Sequence, residues 1–208
     1  MATARQSNQR KRPQQARSIA TESGLLDAAG QVLAEHGYIG CSTNRIADRA
    51  GVSKGSLYQY FADKDEVLTA LAERMAAEIN QDVGDAIDRG LGDDWQSLGE
   101  AVLSATFEAL ENRGPMLRPL LMEAPHIKVM DMISEVVTRA QDVGRTYIAL
   151  NPDQFRPDLD VEAYLYVLIA ALKSVLTEHI TQTTALPRQR LAKALMTVTA
   201  RSLTPDSR

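Results

Sequence analysis

Between Ser42 and Asp63 the chain reads STNRIADRAGVSKGSLYQYFAD, and its polar residues suit one kind of chemistry. Thr43, Asn44 and Arg45 stand near its start, Ser53, Lys54, Gly55, Ser56, Tyr58, Gln59 and Tyr60 near its end, and Lys64 just beyond. Cations and hydroxyls can bond phosphate oxygens, and an amide can pair with a base edge. A residue without a side chain leaves room for close approach. Other chemistries find little support. There is no phosphate loop, no HExxH and no nucleophilic cysteine with a plausible base nearby. Glu111, Glu123 and Glu178 are scattered acids that read as solvated faces, so a helical enzyme is only a remote alternative. His36, His126 and His179 lack Cys or acidic partners at metal-ligand spacing, so neither metal nor cofactor is expected.

Two short helices must position these groups. Ser42 can cap a first helix from Thr43 to Ala50, Gly51 and Val52 turn the chain, and Ser53 can cap a second from Lys54 to Tyr60. Ile46, Ala47 and Ala50 share one face of the first helix, and Val52, Leu57 and Phe61 supply the facing set. This is a helix-turn-helix pattern, whose second helix is sized for a DNA major groove.

The strings LLDAAGQVLAEHGY and IADRAGVSKGSLYQYFADKDEVL, between Leu25 and Leu68, resemble the N-terminal domain of the TetR family of bacterial transcriptional regulators. The resemblance implies backbone phosphate contacts from Thr43, Asn44 and Arg45. It implies a recognition turn and helix carrying Ser53, Lys54, Gly55, Ser56, Tyr58, Gln59 and Tyr60, and a phosphate held by Lys64. Gln59 departs from the histidine or tryptophan common at its position, which leaves base preference open. Cys41 replaces a frequent threonine and reads as packing.

Charge is distributed in keeping with a polyanionic partner. The chain carries -4 overall, yet residues 1–64 hold nine Lys and Arg against five acids, so the remainder carries -8. A basic head on an acidic body orients a protein on DNA. Residues 1–17 hold five cations and no acid and read as a flexible arm; a solvated tail and a DNA-contacting arm are both open. The arm has no apolar core of a secretory signal, which points to the cytoplasm. Cys41 is the only cysteine, so no intrachain disulfide can form.

The organisation expected is an arm over 1–17, a DNA-binding domain over 18–64 and a helical body over 65–208, all-α throughout. Val67, Leu71, Met75, Ile79, Val83 and Ile87 recur every fourth residue and describe a long helix from about Asp63 to before Gly90, a mechanical link from reader to body. A helix from Trp95 should close at Gly114-Pro115, and another should run through Ile127, Ile133, Val137 and Ile148. The run AYLYVLIAAL from Ala163 is too short to span a bilayer and reads as a helix buried on most of its circumference; no membrane partner is expected. The last helix begins at Pro187.

One helix-turn-helix contacts few bases, whereas a twofold pair reads half-sites about 34–36 Å apart, so a homodimer on double-stranded DNA is expected. The family resemblance implies pairing of the last two helices, with Leu165, Leu172, Val175, Leu176, Leu191, Leu195 and Val198 as candidates; an intrachain core would use the same residues. It also implies an effector-binding body. Phe107, Met122, Met130, Ile133, Tyr166 and Ile169 are its candidate lining, for an apolar or aromatic small molecule. The function expected is a dimeric repressor released from a palindromic operator by that effector; the alternative is an activator, or a regulator acting through a protein partner without a small ligand.

Overall fold

The residues spaced every fourth position from Val67 to Ile87 are all at most 3% exposed, and they set one face of a long helix of the body against everything else. Burying each such side chain is worth about 2 kcal/mol, far above any difference in helix propensity, so tertiary packing dictates the helix. The structure, a computed structural model, describes residues 8–132 and 134–204, with side chains over 17–132 and 137–204. In chain order the helices are α1 (Asn8–Gly40), α2 (Thr43–Ala50), α3 (Lys54–Leu57), α4 (Lys64–Gly90), α5 (Trp95–Glu123), α6 (Val129–Met132), α7 (Ser134–Leu150), α8 (Val161–Ile180) and α9 (Arg188–Leu203). Short 3₁₀ turns at Pro125–Ile127 and Pro152–Gln154 join them, and no strand occurs among the described residues.

α1 to α3 form the N-terminal unit, and its core of Leu25, Ala29, Leu33, Ile46 and Leu57 runs without a gap into α4 and α5. A Cβ on Gly30 would lie 2.8 Å from Met116 Sδ, so a glycine is what lets α1 and α5 approach. The functional division near residue 64 is therefore not a division of the core.

Several expectations need correction. Residues 8–17 continue α1 as helix rather than forming a flexible arm, which fits their Gln, Lys, Arg and Ala content; residues 1–7 lie outside the described residues. α5 does not stop at Gly114-Pro115 but passes through Pro115 and Pro119. Leu117 and Leu120, at most 1% exposed, anchor the turns beyond the prolines and offset the lost N–H bonds. The helix expected through Ile127 and Ile148 is divided: Lys128 takes a left-handed φ of 42° and ends the 3₁₀ turn before α6 and α7. α8 is not buried on most of its circumference, because only Leu165, Leu176 and Ile180 are buried.

Candidate nucleic-acid interface and effector cavity

The reader is built from its caps upward. Ser42 Oγ accepts the Arg45 N–H at 3.3 Å and starts α2, while Gly51, with φ 68°, ends it by taking a conformation that a side chain would strain. Ser53 Oγ accepts the Ser56 N–H at 3.0 Å and starts α3. α3 is shorter than the expected Lys54 to Tyr60, because the N–H groups of Gln59 and Tyr60 turn to carbonyls three residues back, Ser56 and Leu57. The coil is tightened there rather than ended. Asp63 then caps α4 through the Glu66 N–H at 2.9 Å.

Their own contacts sort the expected DNA-binding residues. Asn44, Lys54, Gly55 and Gln59 are exposed, and no side-chain hydrogen bond within the described residues occupies Asn44, Lys54 or Gln59. The Thr43 and Tyr58 hydroxyls lie 3.3 Å apart and link α2 to the recognition segment. Ser53 and Ser56 share a hydroxyl contact of 2.8 Å. Arg45 donates to the Gly40 carbonyl at the end of α1, so one guanidinium arm is already engaged. Tyr60 is packed against the core. Lys64 places Nζ 3.6 Å from the Tyr38 ring centroid and donates to the Tyr38 carbonyl at 3.2 Å, so it is turned partly inward. Arg49, which the expectation omitted, grips Glu35 with two bonds of 2.9 and 2.6 Å and fixes α2 on α1.

Cys41 sits beneath this surface, 3% exposed, and burial pushes its thiol up to about 11 despite the nearby Lys64 and Arg45. It is a packing residue with no nucleophilic character at neutral pH. Beside it, burial and a 2.8 Å hydrogen bond to Asp65 raise the Tyr38 phenol. Asp65 also meets His126 Nε2 at 3.2 Å, and Glu123 accepts the Ile39 N–H at 3.1 Å, so the end of α5 clasps the reader through polar groups.

A cavity of about 220 Å³ lies at the far end of α4, walled by α4, α5, α7, α8 and α9. Trp95, Tyr147, Phe155 and Tyr164 give it an aromatic end, and Ile87 brings α4 to its wall. The Phe155 ring lies 6.3 Å from Trp95 and 6.2 Å from Tyr147, and the adjacent Arg156 N–H bonds the Leu203 carbonyl at 2.9 Å, which pins this loop over the cavity. Among the described residues no Lys, Arg, Asp, Glu or His lines it, and the Thr106 hydroxyl is spent on the Val102 carbonyl at 2.7 Å. A ligand part buried here must be uncharged, since an unpaired buried charge would cost several kcal/mol. A smaller void of about 70 Å³ adjoins it and is walled by Ile79 and Val83 of α4.

Of the expected lining, Ile169 borders both spaces and Met130 the smaller one. Phe107 instead lines an outer groove between α5 and α9. Met122 and Tyr166 are 57% and 73% exposed and line none of these spaces, because each sits on the outward face of its helix. Ile133 lies outside the described residues. Trp95, Phe155 and Tyr164 were not foreseen; the aromatic clustering around the proline-containing loop was the one available signal.

The expected dimer residues divide similarly. Leu165 and Leu176 are buried within the chain, and Leu172, Val175, Leu191 and Leu195 pack against that core. Val198 is 64% exposed. The outward stripe of α8 is Ala163, Tyr166, Val167, Ala170, Ala171 and Ser174, all exposed. By length and composition alone α8 could cross a bilayer. Its buried Leu165, Leu176 and Ile180, packed on the body, instead make it a half-covered helix with one apolar face outward.

Residues 25–71 match the family model described as bacterial regulatory proteins, tetR family. The HTH-type transcriptional repressor KstR2 of Mycobacterium tuberculosis is 27% identical over 143 residues, 66% of this chain and 70% of the repressor. The HTH-type transcriptional activator FasR of Mycolicibacterium smegmatis is 35% identical over 112 residues, 54% of this chain and 50% of the activator. Among solved structures, the regulator FadR from Bacillus subtilis in complex with stearoyl-CoA superposes with a TM-score of 0.62 at 19% identity, covering 85% of this chain and 96% of that one. At that identity the likeness is one of fold.

Proposed function

We propose, from the premise that this chain belongs to the TetR family and is a DNA-binding transcriptional regulator rather than an enzyme, that it is a cytoplasmic homodimeric repressor released from a palindromic operator by an apolar or aromatic effector. The observation that carries the proposal is the placement of α4. Its first residue, Lys64, abuts the reader, and Ile79, Val83 and Ile87 wall the two adjoining spaces in the body. Whatever fills them pushes on the same rigid rod that positions α2 and α3. A ligand preferring one α4 position biases the separation of the two recognition segments, and the shift is bounded by that preference. A 100-fold change in operator affinity requires about 2.7 kcal/mol of coupling.

In the dimer, the outward stripe of α8, with Ala194 and Val198 of α9, meets its counterpart. These exposed residues replace Leu165 and Leu176, which are spent on the intrachain core. On DNA, Asn44, Lys54, Tyr58 and Gln59 make the outward contacts, Gly55 admits the backbone, and Thr43, Arg45, Ser53, Ser56, Tyr60 and Lys64 shape and support that surface. Activation is the second reading, favoured by the kinship with FasR.

The test is operator binding followed by fluorescence anisotropy while apolar compounds are added. Loss of affinity on adding a compound that binds the protein supports a ligand-released repressor, and gain supports the activator. Indifference to every compound that binds would contradict both and favour a protein partner.

A further inference from the structure

We infer that Phe155 determines the shape of the effector: its ring closes the outer end of the cavity, and the site takes compact, uncharged ring compounds in preference to chains. This rests on the cavity being the effector site. The aromatic end of the cavity is the end far from the reader. There α4 ends and α5 begins, α7 ends and α8 begins, and α9 stops, which brings Ile87, Trp95, Tyr147, Tyr164 and Leu203 together. Phe155 belongs to none of these helices. It comes from the loop between α7 and α8 and, at 4% exposed, is the one buried residue between Asn151 and Asp160. Its backbone is tied on both sides: the Phe155 N–H bonds the Pro152 carbonyl at 3.2 Å, and the Arg156 N–H bonds the Leu203 carbonyl at 2.9 Å. The loop thus holds a single side chain in the cavity as a stopper.

The stopper limits length. A cavity of roughly 150 Å³ holds one benzene, so about 220 Å³ takes a ring with a short substituent, while a longer chain meets the Phe155 ring. It also favours a ring. Phe155 stands nearly edge-on to Tyr147, at 83°, and is tilted by 53° to Trp95, so an aromatic guest finds both faces and edges to pair with. Each such pair adds up to about tenfold in affinity beyond the area buried. A flexible chain makes no such pair and loses more freedom on binding. Phe155 is outside the continuous core that joins reader and body, so its ring shapes the site without holding the fold.

Trp95 is the single tryptophan of the chain and lies 6.3 Å from the Phe155 ring, so its fluorescence reports what occupies this end. The experiment is titration of the full-length protein with bromobenzene and with 1-bromohexane, a ring and a chain of equal carbon number that carry the same quenching atom. The expected result is quenching of Trp95 by bromobenzene at about tenfold lower concentration than by 1-bromohexane, the scale of one aromatic pair. In Phe155→Ala, which removes a ring partner and lengthens the site, the two concentrations converge. Phe155→Leu keeps the bulk that the loop packs, loses the aromatic pair, and also narrows the gap; a melting curve verifies the fold of each variant. A chain that binds the unaltered protein as tightly as the ring, or a ring preference that survives in both variants, overturns the inference and leaves the cavity as effector site. Absence of quenching and of any thermal shift with both compounds removes the cavity reading and this inference with it.

Discussion

At the scale of single residues, folding and reading can be separated. A Cβ on Gly55 would have only Ser53 Oγ within 4 Å, at 3.8 Å, so nothing inside the chain requires glycine there. Gly55→Ala should raise stability by about 0.5–1 kcal/mol through helix propensity, yet weaken operator binding if DNA approaches that point. A melting curve and a binding isotherm on the same preparation check both; unchanged DNA affinity would take Gly55 out of the interface. Gln59→Ala should alter base preference at one position in each half-site, read by selection of binding sequences. Cys41 provides a pH test. Its thiol is held up to about 11 in the fold against an ordinary 9.0, so the unfolded chain loses its proton first. The neutral thiol favours the native state fully below about 9, and this advantage falls away as the pH climbs toward 11. Cys41→Ala should show a shallower loss of stability over that window; an identical slope would contradict the assignment.

At the scale of elements, the caps were legible because the chemistry is local. Ser42, Ser53 and Gly51 act where their types predict, and the bounds of α2 and α4 follow from caps and periodicity. The passage of α5 through two prolines was not legible, since the anchoring of Leu117 and Leu120 by α1 and α4 is a long-range effect. Likewise Tyr166 looked like lining by composition alone; which face of α8 turns inward is decided by packing on α5 and α7. The contact between reader and body is also tertiary: Tyr38, Asp65 and His126 form one clasp, and Glu123 with the Ile39 N–H another. Asp65→Ala should cost about 1 kcal/mol, since Asp65 is partly exposed and solvent screens it. If the clasp transmits the effector's bias, the same variant should also reduce the ligand-induced change in DNA affinity. An unaltered ligand response with lowered stability would make the clasp purely structural.

At the scale of the whole molecule, a basic reader, a long α4 and an acidic helical body are joined through one continuous core. The outward face of α8 has Tyr166 at 73% and Val167 at 63% exposed, which a second subunit would cover. The double variant Tyr166→Asp/Val167→Asp should sediment as a monomer, keep its helical content because neither side chain belongs to the core, and lose operator affinity by more than 100-fold, since each half-site alone supplies few contacts. A dimer of normal affinity would move the interface elsewhere.

The most direct test of the central claim is to let the purified protein select fragments from sheared genomic DNA at near-physiological salt and to read the recovered motif. A dimeric operator reader selects a palindrome with half-sites about one helical turn apart. Recovery of no common motif, with binding that vanishes as salt rises, would contradict it and reduce the basic head to nonspecific attraction.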